Sequence, residues 1–110
     1  MNMQSRSDVR SRMLHREISK KLKRNPILWD IPRNNLMKWK KSSGKLTPAF
    51  IEWDHILNTK TKEQILSILE SSSEESVRLR SSSPFTGILS ENERKKIFEY
   101  FSINNGKDKI

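Results

Sequence analysis

Apolar side chains recur every three to five residues through the first part of the chain, at Val9, Met13, Leu14, Ile18 and Leu22. Arg and Lys fill most of the positions between them. That period predicts a helix with one buried stripe over residues 4–24. Asn25-Pro26 ends it, because proline disfavours helical geometry in the residue before it. Ile27, Leu28, Trp29 and Ile31 then form an apolar knot. Asp30 and Pro32 mark a fresh start, for a helix with Leu36, Met37 and Trp39 on its inner side. Lys38, Lys40 and Lys41 sit near its C-terminus, where cations suit the helix dipole.

Beyond the flexible linker SSGK (42–45), helix starts are written in side-chain chemistry. Thr47-Pro48 pairs an N-cap hydroxyl with proline in the first turn. Phe50, Trp53, Ile56 and Leu57 then follow at core spacing. Thr61 with Gln64, Ser72 with Glu75, and Ser90 with Glu93 each read as a capping box. The helices they introduce carry Ile65, Leu66, Ile68 and Leu69 in one case and Ile97, Phe98 and Phe101 in another. No stretch alternates apolar and polar residues long enough for a strand. The prediction is an all-α fold, a compact bundle of five or six short helices. It forms a single domain over residues 1–103, with residues 104–110 as a flexible tail.

Charge changes the picture. Residues 1–45 hold 13 of the 22 Lys and Arg but 3 of the 13 Asp and Glu, a balance of +10. Residues 46–110 carry −1, so the net +9 belongs to the first half. Arg10, Arg12, Arg16, Lys20, Lys21, Lys23 and Arg24, with Arg6 before them, make the first helix the candidate contact with phosphate or an acidic partner. No aromatic residue interleaves with them, so single-strand stacking is not indicated. The chain contains no cysteine, which removes disulfides, thiolate nucleophiles and Cys metal sites. No apolar run is long enough to cross a bilayer, and MNMQSRSDVRSRM lacks the apolar core of a signal peptide. The expected location is cytoplasmic.

Catalytic candidates are few. His15 and His55 are too few for a metal site, and no cofactor-binding loop is present. Arg10 and His15 form an R-x4-H pair that resembles, in motif and helical content only, the ribonucleases of the HEPN class. In that class Arg steadies a phosphate while His moves a proton. The alternative reading is a solvated basic face. Residues 61–82 have the outline of a helix-turn-helix, but Glu74 and Glu75 stand where a recognition helix meets phosphates. Trp29, Trp39 and Trp53 read as core.

The segment RLRSSSPFTGILSENER (78–94) crowds two guanidiniums and several hydroxyls around a proline and a phenylalanine. Leu79, Phe85, Ile88 and Leu89 are expected to pin it to the bundle, and Gly87 to supply a turn. Arg78, Arg80, Ser81, Ser82, Ser83, Pro84, Phe85 and Thr86 form a candidate partner-binding loop, with Phe85 at its tip.

Together with LHREISKKL (14–22) and the central P-x-F-x-E-W-x-x-I-L (48–57), this segment resembles a group of small helical bacterial proteins of toxin–antitoxin operons. The resemblance spans residues 14–98. It implies a non-catalytic antitoxin beside a nucleotidyltransferase-like toxin, and it implies no catalytic residue. In that role the loop and a helix face would contact the toxin, and the basic half would cover its acidic, metal-holding active site. The same surface would serve for operator DNA. Two other readings stay open: a stand-alone nucleic-acid-binding protein that uses the first helix, and the R-x4-H ribonuclease.

Overall fold

Four hydroxyl side chains start four of the helices in the computed structural model. The Oγ atoms of Thr47, Thr61, Ser73 and Ser90 accept from the backbone N–H groups of Phe50, Gln64, Ser76 and Glu93 at 3.1–3.2 Å. Gln64 and Glu93 reach back to the N–H groups of Thr61 and Ser90 at 2.9 and 2.7 Å, completing two capping boxes. The third expected box moves by one residue. Ser73, not Ser72, is the cap, and the residue three places on is Ser76, too short to reach back. Glu75 bonds Arg78 instead, at 3.0 Å.

The structure describes the backbone of residues 6–44 and 47–106, and the side chains of residues 9–42, 44 and 47–100. In chain order these residues form α1 (Arg6–Arg24), a 3₁₀ turn (Pro26–Trp29), α2 (Asp30–Ser43), α3 (Pro48–Thr59), α4 (Lys62–Glu70), α5 (Glu74–Arg80) and α6 (Glu91–Gly106). They contain no strand, and the fold is an all-α bundle of short helices. Gly44 closes α2 at φ 65, donating its N–H to the Lys40 carbonyl, the left-handed end that glycine adopts without strain. α6 continues three residues past the boundary expected at 103, and residues 107–110 of the expected tail lie outside the described residues.

α1 is the hub, packing on α4, α5, α6 and the 3₁₀ turn, while α2 lies on α3. Its inner face buries His15, Ile18, Ser19 and Leu22. Trp53 is completely buried, and its indole N–H donates to the Leu79 carbonyl at 3.0 Å. Phe85, 1% exposed, meets Trp53 edge-on at 5.5 Å between ring centroids and Trp29 at 6.3 Å. Trp29 and Trp39 are partly buried against the same core. Two apolar residues expected inside face out: Ile27 is 72% and Met37 60% exposed. One helix position separates Met37 from buried Leu36, about 100° of rotation.

Phe85→Ala removes the ring that joins two tryptophans, and the expected loss is about 3–5 kcal/mol of folding stability. Urea denaturation followed by tryptophan fluorescence reads this directly. A loss under ~1 kcal/mol would show that the loop does not carry core packing.

Candidate functional site

α1 sorts its basic residues by helical geometry. Its buried stripe takes half the circumference, so the cations gather on the other half. At about 100° per residue, Arg12, Arg16, Lys20, Lys23 and Arg24 span about 120° of the outer face, and all five are exposed. Lys20 pairs with Glu17 at 3.1 Å and Lys23 with Glu70 at 3.5 Å, both in contact with solvent. Arg12 and Arg24 have no carboxylate partner among the described residues.

The other basic residues of the first helix lie elsewhere. Lys21 turns toward α6 and holds Glu93 at 2.6 Å, and this ammonium pushes the Glu93 carboxyl down to about 2. Arg10 lies 5.4 Å from the centre of the Phe98 ring. The side chain of Arg6 lies outside the described residues. Beside the cationic strip, Met13, Ile97 and Tyr100 line a groove between α1 and α6, together with Arg16, Lys20, Lys96 and one carboxylate, Glu17. Tyr100 is 63% exposed. The surface is therefore basic with an apolar floor.

The 78–89 segment is built differently from the expected loop. Phe85 is not at a tip, because it fills the cleft between two tryptophans, and Pro84 is buried with it. Arg80 is 4% exposed and turns inward, donating Nη1–H to the Ile68 and Ser71 carbonyls. It satisfies the carbonyls that the end of α4 leaves open, so its guanidinium is structural. Arg78 is exposed but clamped, bidentate on Glu52 at 2.7 Å for each bond. That pair lowers the Glu52 carboxyl and raises the Arg78 guanidinium. Ser81, Ser82 and Thr86 remain at the surface, and Ser83 is half-buried, its Oγ accepting from the Phe85 N–H.

A residue that the sequence reading passed over holds the segment in place. The Asn35 amide donates to the carbonyls of Pro84 and Thr86 at 2.7 and 2.8 Å. The available signal was a polar residue beside Leu36 on the inward side of α2.

The R-x4-H pair does not converge. Arg10 and His15 are five positions apart, about 140° around the helix, and His15 faces inward with 7% exposure. His15 is thus a buried residue and not part of a solvated face. Its Nδ1 lies 2.7 Å from the Ser11 carbonyl, which requires the proton on Nδ1 and leaves Nε2 a lone-pair acceptor. Nε2 is buried and has no hydrogen-bonding partner. Burial pushes the imidazole down to about 4, the Ser11 carbonyl opposes this, and the Arg80 charge adds to the lowering.

α4 and α5 do form a helix-turn-helix outline, with Glu74 and Glu75 exposed where a recognition helix would meet phosphates. Among the described residues no three His, Asp or Glu side chains gather as metal ligands, and no helix is long and apolar enough to cross a membrane. No protein-family model, curated protein or solved structure matches this chain.

His15 makes stability depend on pH in a defined window. Its folded-state pKa lies below the unfolded 6.5, so its contribution is complete above that value and is lost as pH falls toward about 4. The loss is on the order of 3 kcal/mol. The lowered carboxyls of Glu52, Glu70 and Glu93 act below their ordinary 4.5, in a more acidic range. Thermal melts from pH 7.5 to 4.5 should fall for the native chain and stay nearly flat for His15→Gln. Equal slopes would place a protonated imidazole comfortably in the fold.

Proposed function

We propose that this chain is a non-catalytic antitoxin-type protein that binds and inhibits a partner enzyme, presenting the outer face of α1 to an acidic surface of that partner. One observation carries the reading. Arg12, Arg16, Lys20, Lys23 and Arg24 share one exposed face of a helix whose opposite face is locked into the core. Such a strip lowers the free energy of a carboxylate-rich surface by charge complementarity and speeds encounter with it. A nucleotidyltransferase-like active site, lined by metal-holding carboxylates, is a surface of this kind. The resemblance of residues 14–98 to small antitoxins supports the same assignment.

The contact differs from the one expected from the chain. Arg80, Pro84 and Phe85 hold the fold together, so the exposed part of the loop that remains for a partner is Ser81, Ser82 and Thr86. The α1 face becomes the main element. An Arg80→Ala test would confound binding with folding.

Stand-alone nucleic-acid binding is the second reading. From Arg12 to Arg24 the strip runs about 18 Å along the helix, long enough to follow several phosphates. The apolar floor of Met13, Ile97 and Tyr100 favours the protein partner, since a phosphate backbone offers nothing for it to cover. Operator binding by the antitoxin would use the same strip.

Purification of the tagged full chain from its native host, at low and high salt, separates these readings. One stoichiometric protein should persist at high salt. Arg12→Glu/Arg16→Glu/Lys20→Glu should weaken its capture at least about tenfold, ~1.4 kcal/mol, with an unchanged melting temperature. Nucleic acid lost at high salt, with no protein partner, would sink the antitoxin reading in favour of direct phosphate binding.

A further inference from the structure

α1 and α6 run antiparallel. Lys21 meets Glu93, while Arg10, nearer the start of α1, meets Phe98, further along α6. The groove between them has an apolar floor of Met13, Ile97 and Tyr100. Met13 and Ile97 are half-buried, and Tyr100 is exposed. Ile97 and Tyr100 are three positions apart, so they are neighbours on the surface of α6. From Met13 to Lys20 the α1 wall runs for about two helical turns, ~10 Å. Cations stand on both walls, Arg16 and Lys20 on α1 and Lys96 on α6. The one carboxylate that lines the groove, Glu17, is already held by Lys20 at 3.1 Å. Lys96 forms no ion pair among the described residues.

An occupant that matches this groove brings an apolar stripe with carboxylates on both flanks. Neither end of this chain supplies one: MNMQS (1–5) has no acidic residue, and FSINNGKDKI (101–110) has one Asp against two Lys. A second copy, groove to groove, would set cation against cation. A nucleic-acid backbone would match the cations and leave the floor uncovered. There is no strand among the described residues, so an extended peptide would find no sheet edge on which to pair its backbone. A helix pairs its own backbone, and two antiparallel helices offer a third the ridges and grooves of ordinary helix packing, at axis distances of about 8–10 Å.

We propose that the α1–α6 groove takes an acidic amphipathic helix of the partner protein, with its apolar stripe on Met13, Ile97 and Tyr100 and its carboxylates beside Arg16, Lys20 and Lys96. This rests on the reading of the chain as an inhibitor of a partner enzyme, and adds which element of the partner is held. The cationic strip supplies attraction at a distance, and the groove supplies contact that salt does not screen. Anchors of the occupying helix recur at i, i+3 or i+4, and i+7. Lys96 and Tyr100 lie on α6, off the strip, so the two surfaces can be altered separately.

The tagged full chain, with p-benzoylphenylalanine in place of Tyr100, is irradiated in its native host and purified at high salt. A second chain carries the same group in place of Ile51 of α3, which is exposed and does not line the groove. The expected product joins position 100, and not position 51, to one partner segment whose apolar residues follow helical spacing and whose flanks hold Asp and Glu. That segment, as a synthetic peptide titrated into the full chain, should gain helical circular dichroism on binding. It should bind at least about tenfold more weakly to Lys96→Glu/Tyr100→Ser, whose melting temperature should be unchanged. A cross-linked segment that is basic or lacks helical spacing, or no cross-link at position 100 while a partner co-purifies, would overturn the proposal. Partner capture undiminished in Lys96→Glu/Tyr100→Ser, yet lost in Arg12→Glu/Arg16→Glu/Lys20→Glu, would overturn the groove and leave the inhibitor reading in place. Absence of any protein partner of the native chain would overturn both.

Discussion

The seating of Phe85 between Trp53 and Trp29 is the contact on which the rest of the bundle depends. Trp53 comes from α3, Trp29 from the 3₁₀ turn and Phe85 from the segment after α5, so three distant parts of the chain close on one ring. Around it the irregular 81–89 segment becomes part of the core, with Ile88 and Leu89 also buried. Backbone polar groups drawn inward must be paired. Asn35 serves the carbonyls of Pro84 and Thr86, and Arg80 serves those at the end of α4. These two side chains are the condition under which a serine-rich connector can be folded inward.

The helices were legible in the sequence because their causes are local. Hydroxyl caps, a Thr-Pro start and apolar residues at helical spacing act within one turn, and each predicted helix is present. Ser72 and Ser73 show the limit, since adjacent serines carry the same cap chemistry and geometry selects one. The candidate site was less legible because its causes are not local. Arg80 looks like a surface cation until the end of α4 is placed beside it, 9 to 12 residues back in the chain. Glu52, quoted within a helix motif, turns out to clamp Arg78 across 26 residues. His15 sits in a run of basic residues that suggests solvent, and only the rotation of α1 turns it inward. Charge was the exception: the excess of cations in the first half was visible in the chain, and the outer face of α1 is where five of them gather.

Ion pairs sort into two kinds. Lys21–Glu93 and Arg78–Glu52 join different helices at the short distances of 2.6 and 2.7 Å. Lys20–Glu17, within α1, and Lys23–Glu70, between α1 and α4, are longer at 3.1 and 3.5 Å, and exposed pairs of this kind are worth at most about 1 kcal/mol each. They moderate the cationic strip without cancelling it. The buried Ser19 hydroxyl adds to the seam, donating to Glu70 at 2.6 Å, and that bond leads the lowering of the Glu70 carboxyl.

The central position of α1 has a thermodynamic consequence. A basic helix that hung loose would have to fold onto its partner, burying its own apolar stripe in the act, with a large negative heat-capacity change and a heavy entropy cost. Here that stripe is already covered by α4, α5 and α6. In the proposed complex the outer face would join a prearranged array of charges to the partner, and the apolar surface left to bury would be the floor of Met13, Ile97 and Tyr100. Its heat-capacity change should be smaller than that of a helix that folds on binding, and the apolar floor supplies the part of its free energy that salt does not screen.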